Sequence, residues 1–331
     1  MSADAPIRTG AEVTAEDTAW FAAGHRALLD NMEKVVRGKT DVLRLALCCL
    51  LAEGHLLIED VPGVGKTTIA KVLATSIDAS WRRIQFTPDL LPSDITGASI
   101  WDPDGHRFEF HRGAVFAHLV LGDEINRASP KTQSALLEVM EERQVTVDAV
   151  SYAVPRPFLV IATQNPIDLG GTYRLPEAQL DRFLMRIAVG YPNETSEADV
   201  LDERVRGGGE IPTIGPVVSV EQTARMIRLA ANVHVDPAVT RYVIRLAVAS
   251  RDRPEVRLGL STRGALALVR AAQAHALAEG RAYAVPQDVK AIVKPVVGHR
   301  LILTAQAEVE GLVVSALLDE ILASVPVPVR A

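Results

Sequence analysis

An α/β core built on a parallel sheet and followed by a smaller all-α domain is the fold class the sequence predicts, and three observations predict it. A short apolar run at 56–58 passes through a glycine-bearing turn at 60–68 into a helix-forming stretch at 69–73, the strand–turn–helix order of a parallel βα unit. Two further apolar runs, 114–121 and 158–162, end in Gly122-Asp123-Glu124 and in Thr163-Gln164-Asn165, so polar side chains gather where strands leave a core. Beyond a Gly- and Pro-rich stretch at 207–215, five segments carry the helical period.

At 331 residues with 48% apolar side chains, the chain is long for one core, and two domains are the natural reading. The expected division is a flexible N-terminus at 1–17, a core at 18–192, a linker at 193–216, a helical domain at 217–325 and a flexible tail at 326–331. Residues 1–17 lack a basic-then-apolar leader, and the run 45–52 is too short to cross a bilayer, which predicts a cytoplasmic protein. Cys48 and Cys49 are adjacent in an apolar helical pattern; alone they build neither a disulfide framework nor a metal site, and they read as core.

In chain order, 20–35 has helical spacing, Val36-Arg37-Gly38 breaks it, and Asp41 can cap a second helix over 42–52. The turn that follows the first strand, Asp60-Val61-Pro62-Gly63-Val64-Gly65-Lys66-Thr67-Thr68, reads as a phosphate-binding loop. Its backbone N–H groups form an anion nest at a helix N-terminus, Lys66 reaches the β- and γ-phosphates, and Thr67 holds Mg²⁺. Asp60 stands where the usual pattern has glycine, so its carboxylate has to point away from a triphosphate.

Residues 83–113 are irregular, broken by Pro88, Pro92, Pro103 and Gly105, and they read as an insertion whose turn at 101–106 joins two short β segments. The strand at 114–121 then delivers Asp123 and Glu124. Nucleotide hydrolysis requires one carboxylate for the metal and another for the attacking water, and Asp123 is assigned to the first task and Glu124 to the second. An amphipathic helix at 134–142 and a hairpin at 145–154, turning near Asp148 and Ala149, lead to the strand at 158–162. Asn165 at its exit can help hold that water and sense the γ-phosphate.

A short helix at 175–183 contains the neighbours Asp181 and Arg182, which allow a local salt bridge, and a strand at 185–189 closes the core. Helices are expected at 220–231, 237–250, 263–278, 286–297 and about 307–322. Ser261 or Thr262 is a ready N-cap, placing Arg263 in a first helical turn, a poor position for a cation unless an anion lies opposite. The formal net charge is −6, which argues against a large nucleic-acid surface. From Pro216 onward 14 Lys and Arg outnumber 10 Asp and Glu, so the helical part is the basic one.

Taken together, these motifs closely resemble the MoxR family of AAA+ ATPases. The resemblance rests on residues 57–67, on Gly122-Asp123-Glu124-Ile125-Asn126-Arg127 running into 131–138, on Ala162-Thr163-Gln164-Asn165-Pro166, on 171–183, and on Pro286-Gln287-Asp288-Val289 and His299-Arg300. It implies an AAA+ αβα core with a helical lid, with hairpins near 100–110 and 145–154 that line a pore or touch a client. It also implies ATP and Mg²⁺ as ligands, with Val36 to Gly38 cradling adenine, Asn165 as sensor 1 and Arg263 as sensor 2. Arg182 becomes the arginine finger for a neighbouring subunit, with Arg174 and Arg186 as the other candidates, and Arg263 is expected to complete the loop of its own subunit. A ring hexamer, a protein client for chaperone-like remodelling or metal insertion, and a von Willebrand factor A domain partner are further implications. The alternatives are a magnesium-chelatase-type subunit and an ATP-gated transcription regulator; the latter is disfavoured by the absence of a Gly-Ala-Phe-Thr-Gly-Ala loop at 95–98 and of a recognition helix. A guanine-reading Asn-Lys-x-Asp motif is also absent after the acid pair.

Overall fold

The computed structural model describes residues 12–165, 172–191, 194–195, 197–198, 202, 205 and 212–328. The first helix, α1 (Ala15–Glu33), starts inside the segment expected to be flexible: Thr14 accepts from the Asp17 N–H and Asp17 answers with its carboxylate, a reciprocal cap. Next come α2 (Thr40–Leu51), β1 (Leu56–Glu59), α3 (Lys66–Ser76), β2 (Trp81–Gln85), α4 (Pro92–Thr96), β3 (Gly97–Asp102), β4 (Arg107–Arg112) and β5 (Leu119–Asp123). The core continues with α5 (Pro130–Glu142), β6 (Gln144–Val147), β7 (Val150–Ala153), β8 (Leu159–Gln164), α6 (Glu177–Leu180) and β9 (Met185–Ile187).

Five of these strands form one parallel sheet in the order β2-β5-β8-β1-β9. Alternate residues of each central strand enter different cores: Leu56, Ile58, Leu119, Leu121, Leu159 and Ile161 pack toward α1 to α3 and the lid. Leu57, Val120, Val160 and Ala162 pack toward α5 and the hairpins. A strand buried on both faces reads as a continuous apolar run, which is why these three are visible in the sequence. The edge strand β2 was not expected and runs into the stretch read as irregular, 83–113; its Arg82, Arg83 and Gln85 are exposed while Ile84 is buried. The β5 segment also starts later than expected, because residues 114–118 form the turn that enters it.

The amino edge of the sheet is marked by His55, the residue before β1. The Val160 N–H donates to its Nδ1 and its Nε2 donates to the Met140 carbonyl, both at 3.0 Å. Burial, helped by the Arg143 charge, pushes its pKa down to about 3, so the ring is neutral and this tautomer ties β1, β8 and the C-terminal end of α5 together. Two hairpins project from the core. In β3–β4, Trp101 and Phe108 meet edge to face and are 47% and 68% exposed. Phe110 of this hairpin stacks on Tyr152 of β6–β7 at 4.3 Å, and Ser99 donates to Asp148 at 2.5 Å.

The second part holds α7 (Val220–Asn232), β10 (His234–Val235), α8 (Pro237–Arg251), β11 (Val256–Leu258), α9 (Thr262–Ala278), β12 (Tyr283–Ala284), α10 (Pro286–Val297), β13 (Ile302–Leu303), α11 (Ala305–Val309) and α12 (Val314–Ser324). It is helical, but not purely so: β10 pairs with β12 and β11 with β13. The expected helix at 307–322 is two helices, with Gly311 at φ +79° between them. Much of the expected linker and the last three residues lie outside the described residues. Its described end is packed: Gly215 O accepts from Asn31, and the Val217 and Val218 N–H groups donate to Ser76 O. Cys48 and Cys49 are buried and unbridged, and burial raises the Cys48 thiol to about 12.

Candidate functional site

The expected phosphate loop leaves the carboxyl end of β1. Gly63 and Gly65 have φ of +87° and +92°, and no atom lies within 4 Å of where a Cβ would stand. The turn is therefore an open cradle that only glycine forms without strain. Lys66 opens α3, and its Nζ donates to the Asp60 carbonyl at 2.6 Å. Burial lowers its pKa, opposed by the charges of Asp123, Asp60 and Glu124.

Asp60 is not a flaw in the loop. Its carboxylate faces away from the cradle and accepts N–H groups from Val61 at 2.7 Å, Val189 at 2.7 Å and Gly190 at 2.5 Å. Burial works against its charge, but these amides and Lys66 prevail and hold the carboxyl below the ordinary range. It thereby pins the loop to the exit of β9. Lys39 donates to Tyr191 O at 2.6 Å from the other side, so the Val36 to Gly38 turn, with Gly38 at φ +68°, shares this neighbourhood.

Asp123 ends β5 with its side chain 12% exposed. Thr163 on β8 donates to Asp123 Oδ1 at 2.6 Å, while the Glu124 N–H donates to the same Thr163 hydroxyl at 2.9 Å. One threonine fixes both acids. Glu124 adopts the left-handed conformation, φ +57°, a position of strain for a non-glycine residue, which turns its carboxylate out of the strand direction. Gln85 on β2 donates to Glu124 Oε2 at 2.9 Å, and Arg83 pairs with Asp123 Oδ2 at 2.6 Å. These β2 partners are absent from the expectation because β2 was. Asn165 is buried at the exit of β8; Pro166 lies outside the described residues. Thr67 and Thr68 stand in the first turn of α3. The carboxyl edge thus unites the cradle, Thr67, the two acids and Asn165, a donor set suited to a Mg²⁺-bound triphosphate.

The arginines do not join them. Arg182 Nε approaches Glu141 Oε2 at 3.1 Å, and Arg263 Nη1 approaches Glu141 Oε1 at 3.2 Å. Glu141 adjoins Met140, whose carbonyl is held by His55 at the amino edge; α5 has by then run about 17 Å back from its start near the acids. Arg263 therefore stands at the edge opposite the phosphate loop of its own chain, which corrects the expectation that it completes that loop. The reason is the seat of the lid. The buried Arg300 pairs with Asp181 at 2.7 Å and donates to the carbonyls of Asp181, Phe183 and Leu184, while His299 Nε2 is 3.0 Å from Phe183 O. Asp181 is thus the lid's partner, not that of its neighbour Arg182. Arg186 is held by Glu59 at 3.0 Å. Exposed Arg174 follows Tyr173, whose N–H donates to Asn126 O near the acids.

Residues 55–185 match the family of ATPases associated with various cellular activities (AAA), and 248–321 match the AAA lid domain. Chaperone MoxR1 of Mycobacterium tuberculosis is 40% identical over 92% of this chain and 82% of its own length. Protein MoxR of Paracoccus denitrificans is 35% identical over 89% and 93%, and the protein YeaC of Bacillus subtilis is 46% identical over 91% and 94%. The crystal structure of a Cytophaga hutchinsonii protein assigned as an ATPase superposes with a TM-score of 0.88 at 36% identity, covering 95% of this chain and 98% of that one. The sheet order, the phosphate cradle, the paired acids and the helical lid have their counterpart in that similarity: the chain belongs to the MoxR family of AAA+ ATPases.

Proposed function

We propose that this chain is a Mg²⁺-dependent ATPase that works as a homo-oligomer, with a ring hexamer as the expected form, and couples hydrolysis to chaperone-like remodelling of a protein partner. The observation that carries the catalytic part is the shared hydrogen bonding of Asp123 and Glu124 to Thr163 beside the glycine cradle. The chaperone part leans on the similarity to a relative that bears that name.

The loop amides and Lys66 would bind the phosphates, and Thr67 with Asp123 would hold the metal. Mg²⁺ bound there would neutralise phosphate charge. Glu124 orients the attacking water and accepts its proton, Asn165 holds that water from the other strand, and the γ-phosphoryl group passes to water as ADP leaves. Val36 to Gly38 border the adenine. Because Arg182 and Arg263 sit together on the opposite edge, both are read as serving the site of the next copy, where they stabilise transition-state charge. Trp101 and Phe108 on the exposed hairpin are the surface offered to the client, and a von Willebrand factor A domain protein is one such partner. No helix among the described residues is long and apolar enough to cross a membrane.

Glu124→Gln should bind ATP and fail to turn it over, while Lys66→Ala should lose binding as well. Fluorescent-nucleotide titration beside phosphate release checks both, and normal turnover by Glu124→Gln sinks the assignment. The trapped form is also the bait for the client.

A further inference from the structure

We infer that Glu141 is a positioning residue for catalysis in the neighbouring copy: its single carboxylate sets the spacing between Arg182 of the core and Arg263 of the lid, so that the two cations are presented as one unit. The inference rests on the reading that both arginines act on the next subunit's nucleotide. Each carboxylate oxygen takes one arginine, Oε2 from Arg182 and Oε1 from Arg263, at 3.1 and 3.2 Å. The two cations come from different domains, 81 positions apart in the sequence, and would repel each other without an anion between them.

Stability does not account for the arrangement. The three side chains are 29 to 48% exposed, where ion pairs contribute little. The lid is already seated by the buried Arg300 and His299 contacts. Arg263 also occupies the first turn of α9, behind the Ser261 cap, where the helix dipole disfavours a cation, and Glu141 answers that cost from across the domain boundary. An open cleft of about 440 Å³, lined by Arg182, Gln179, Glu138 and Glu142 among others, lies alongside and leaves Arg182 approachable from outside the chain. Two arginines aimed at one phosphoryl group must hold a common distance, and errors near 1 Å are enough to cost about a hundredfold in rate.

The test uses the full chain in its assembled form. Glu141→Gln keeps the shape and loses the charge; it should lower kcat about tenfold with KM for ATP within twofold, and weaken binding of ADP with aluminium fluoride about tenfold while ADP alone binds as before. Glu141→Asp, which retains the charge on a shorter arm, should recover part of both losses. Mixing Glu141→Gln with Glu124→Gln subunits should give turnover above the sum of the two, because intact acids then meet intact arginines across an interface. Unchanged kcat and analogue affinity in Glu141→Gln overturn the inference, as does a rise in kcat, which would make Glu141 a clamp that withholds the arginines. Arg182→Ala mixed with Glu124→Gln is the control. If that pair fails to complement, the trans reading falls and the inference with it; if it complements while Glu141→Gln behaves as wild type, the inference alone is wrong.

Discussion

The two edges of the parallel sheet are built in opposite ways. At the carboxyl edge, each group follows its own strand in the chain: Lys66 at the start of α3 after the loop from β1, Glu124 after β5, Asn165 after β8. At the amino edge, Arg182, Glu141 and Arg263 come from a loop, a helix end and the other domain. The first edge is set by local backbone and the hydrogen bonds of one threonine; the second exists only because the lid docks there. The difference teaches that the arginines lie away from the cradle and the acids of their own chain; under the function proposed above, a whole site would draw on two copies.

The comparison breaks first at Lys66. Lys66→Ala should abolish measurable turnover and nucleotide binding, a loss of about a thousandfold or more in steady-state phosphate release; retained binding would mean the cradle is not the phosphate site. Arg182→Ala should cost about a hundred- to a thousandfold in kcat while ATP affinity stays within threefold. If affinity and kcat fell together, the arginine would belong to its own chain's pocket. For Arg263→Ala the expected loss is smaller, about ten- to a hundredfold, and complementation with Glu124→Gln subunits distinguishes service to the neighbour from service at home.

Asp60→Asn sharpens the local side of the comparison. It keeps the size of the side chain but removes the charge that gathers three backbone N–H groups, and should lower stability by about 1–3 kcal/mol in urea unfolding, with a raised KM and little change in kcat. The smallest effect on turnover should come from Asp288, which lies in the lid away from both edges. Burial opposes its charge, but Arg281, His275 and the Val285 N–H hold its pKa at about 2. A carboxyl depressed below its unfolded value of 3.8 contributes stability that is complete above that value and is lost as pH falls toward 2. Asp288→Asn should therefore cost about 2 kcal/mol at pH 7 and flatten the acid limb of the stability profile, with kcat unaltered in what remains folded.

How much of this was legible follows from the same contrast. The loop at 60–68 and the acids Asp123 and Glu124 are contiguous runs, and the central strands that carry them are apolar on both faces, so their position at the carboxyl edge is readable from the sequence. β2 escaped because Trp81–Gln85 is an edge strand that buries mainly Ile84 and shows Arg82, Arg83 and Gln85 to solvent; with it went the partners of Asp123 and Glu124. Arg182 and Arg263 were singled out, Arg263 for its awkward place in a first turn, but their meeting was not. Glu141 is one of three acids among five residues on α5, and nothing in its immediate sequence distinguishes it. The seat of the lid depends on Arg300 and Asp181, 119 positions apart. The local pairing of Asp181 with Arg182 was plausible on spacing and wrong in space. The anion that the first turn of α9 required did exist, on the other domain.

The stacking of Phe110 on Tyr152, with Ser99 bound to Asp148, has a mechanical reading. The first hairpin lies in the chain between β2, which touches the acids, and β5; the second lies between α5, which bears Glu141, and β8. Through these contacts the two hairpins are joined at their flanks. Under the function proposed above, a client held at Trp101 or Phe108 would pull on both hairpins, and through them on the chain segments that carry the acids and Glu141.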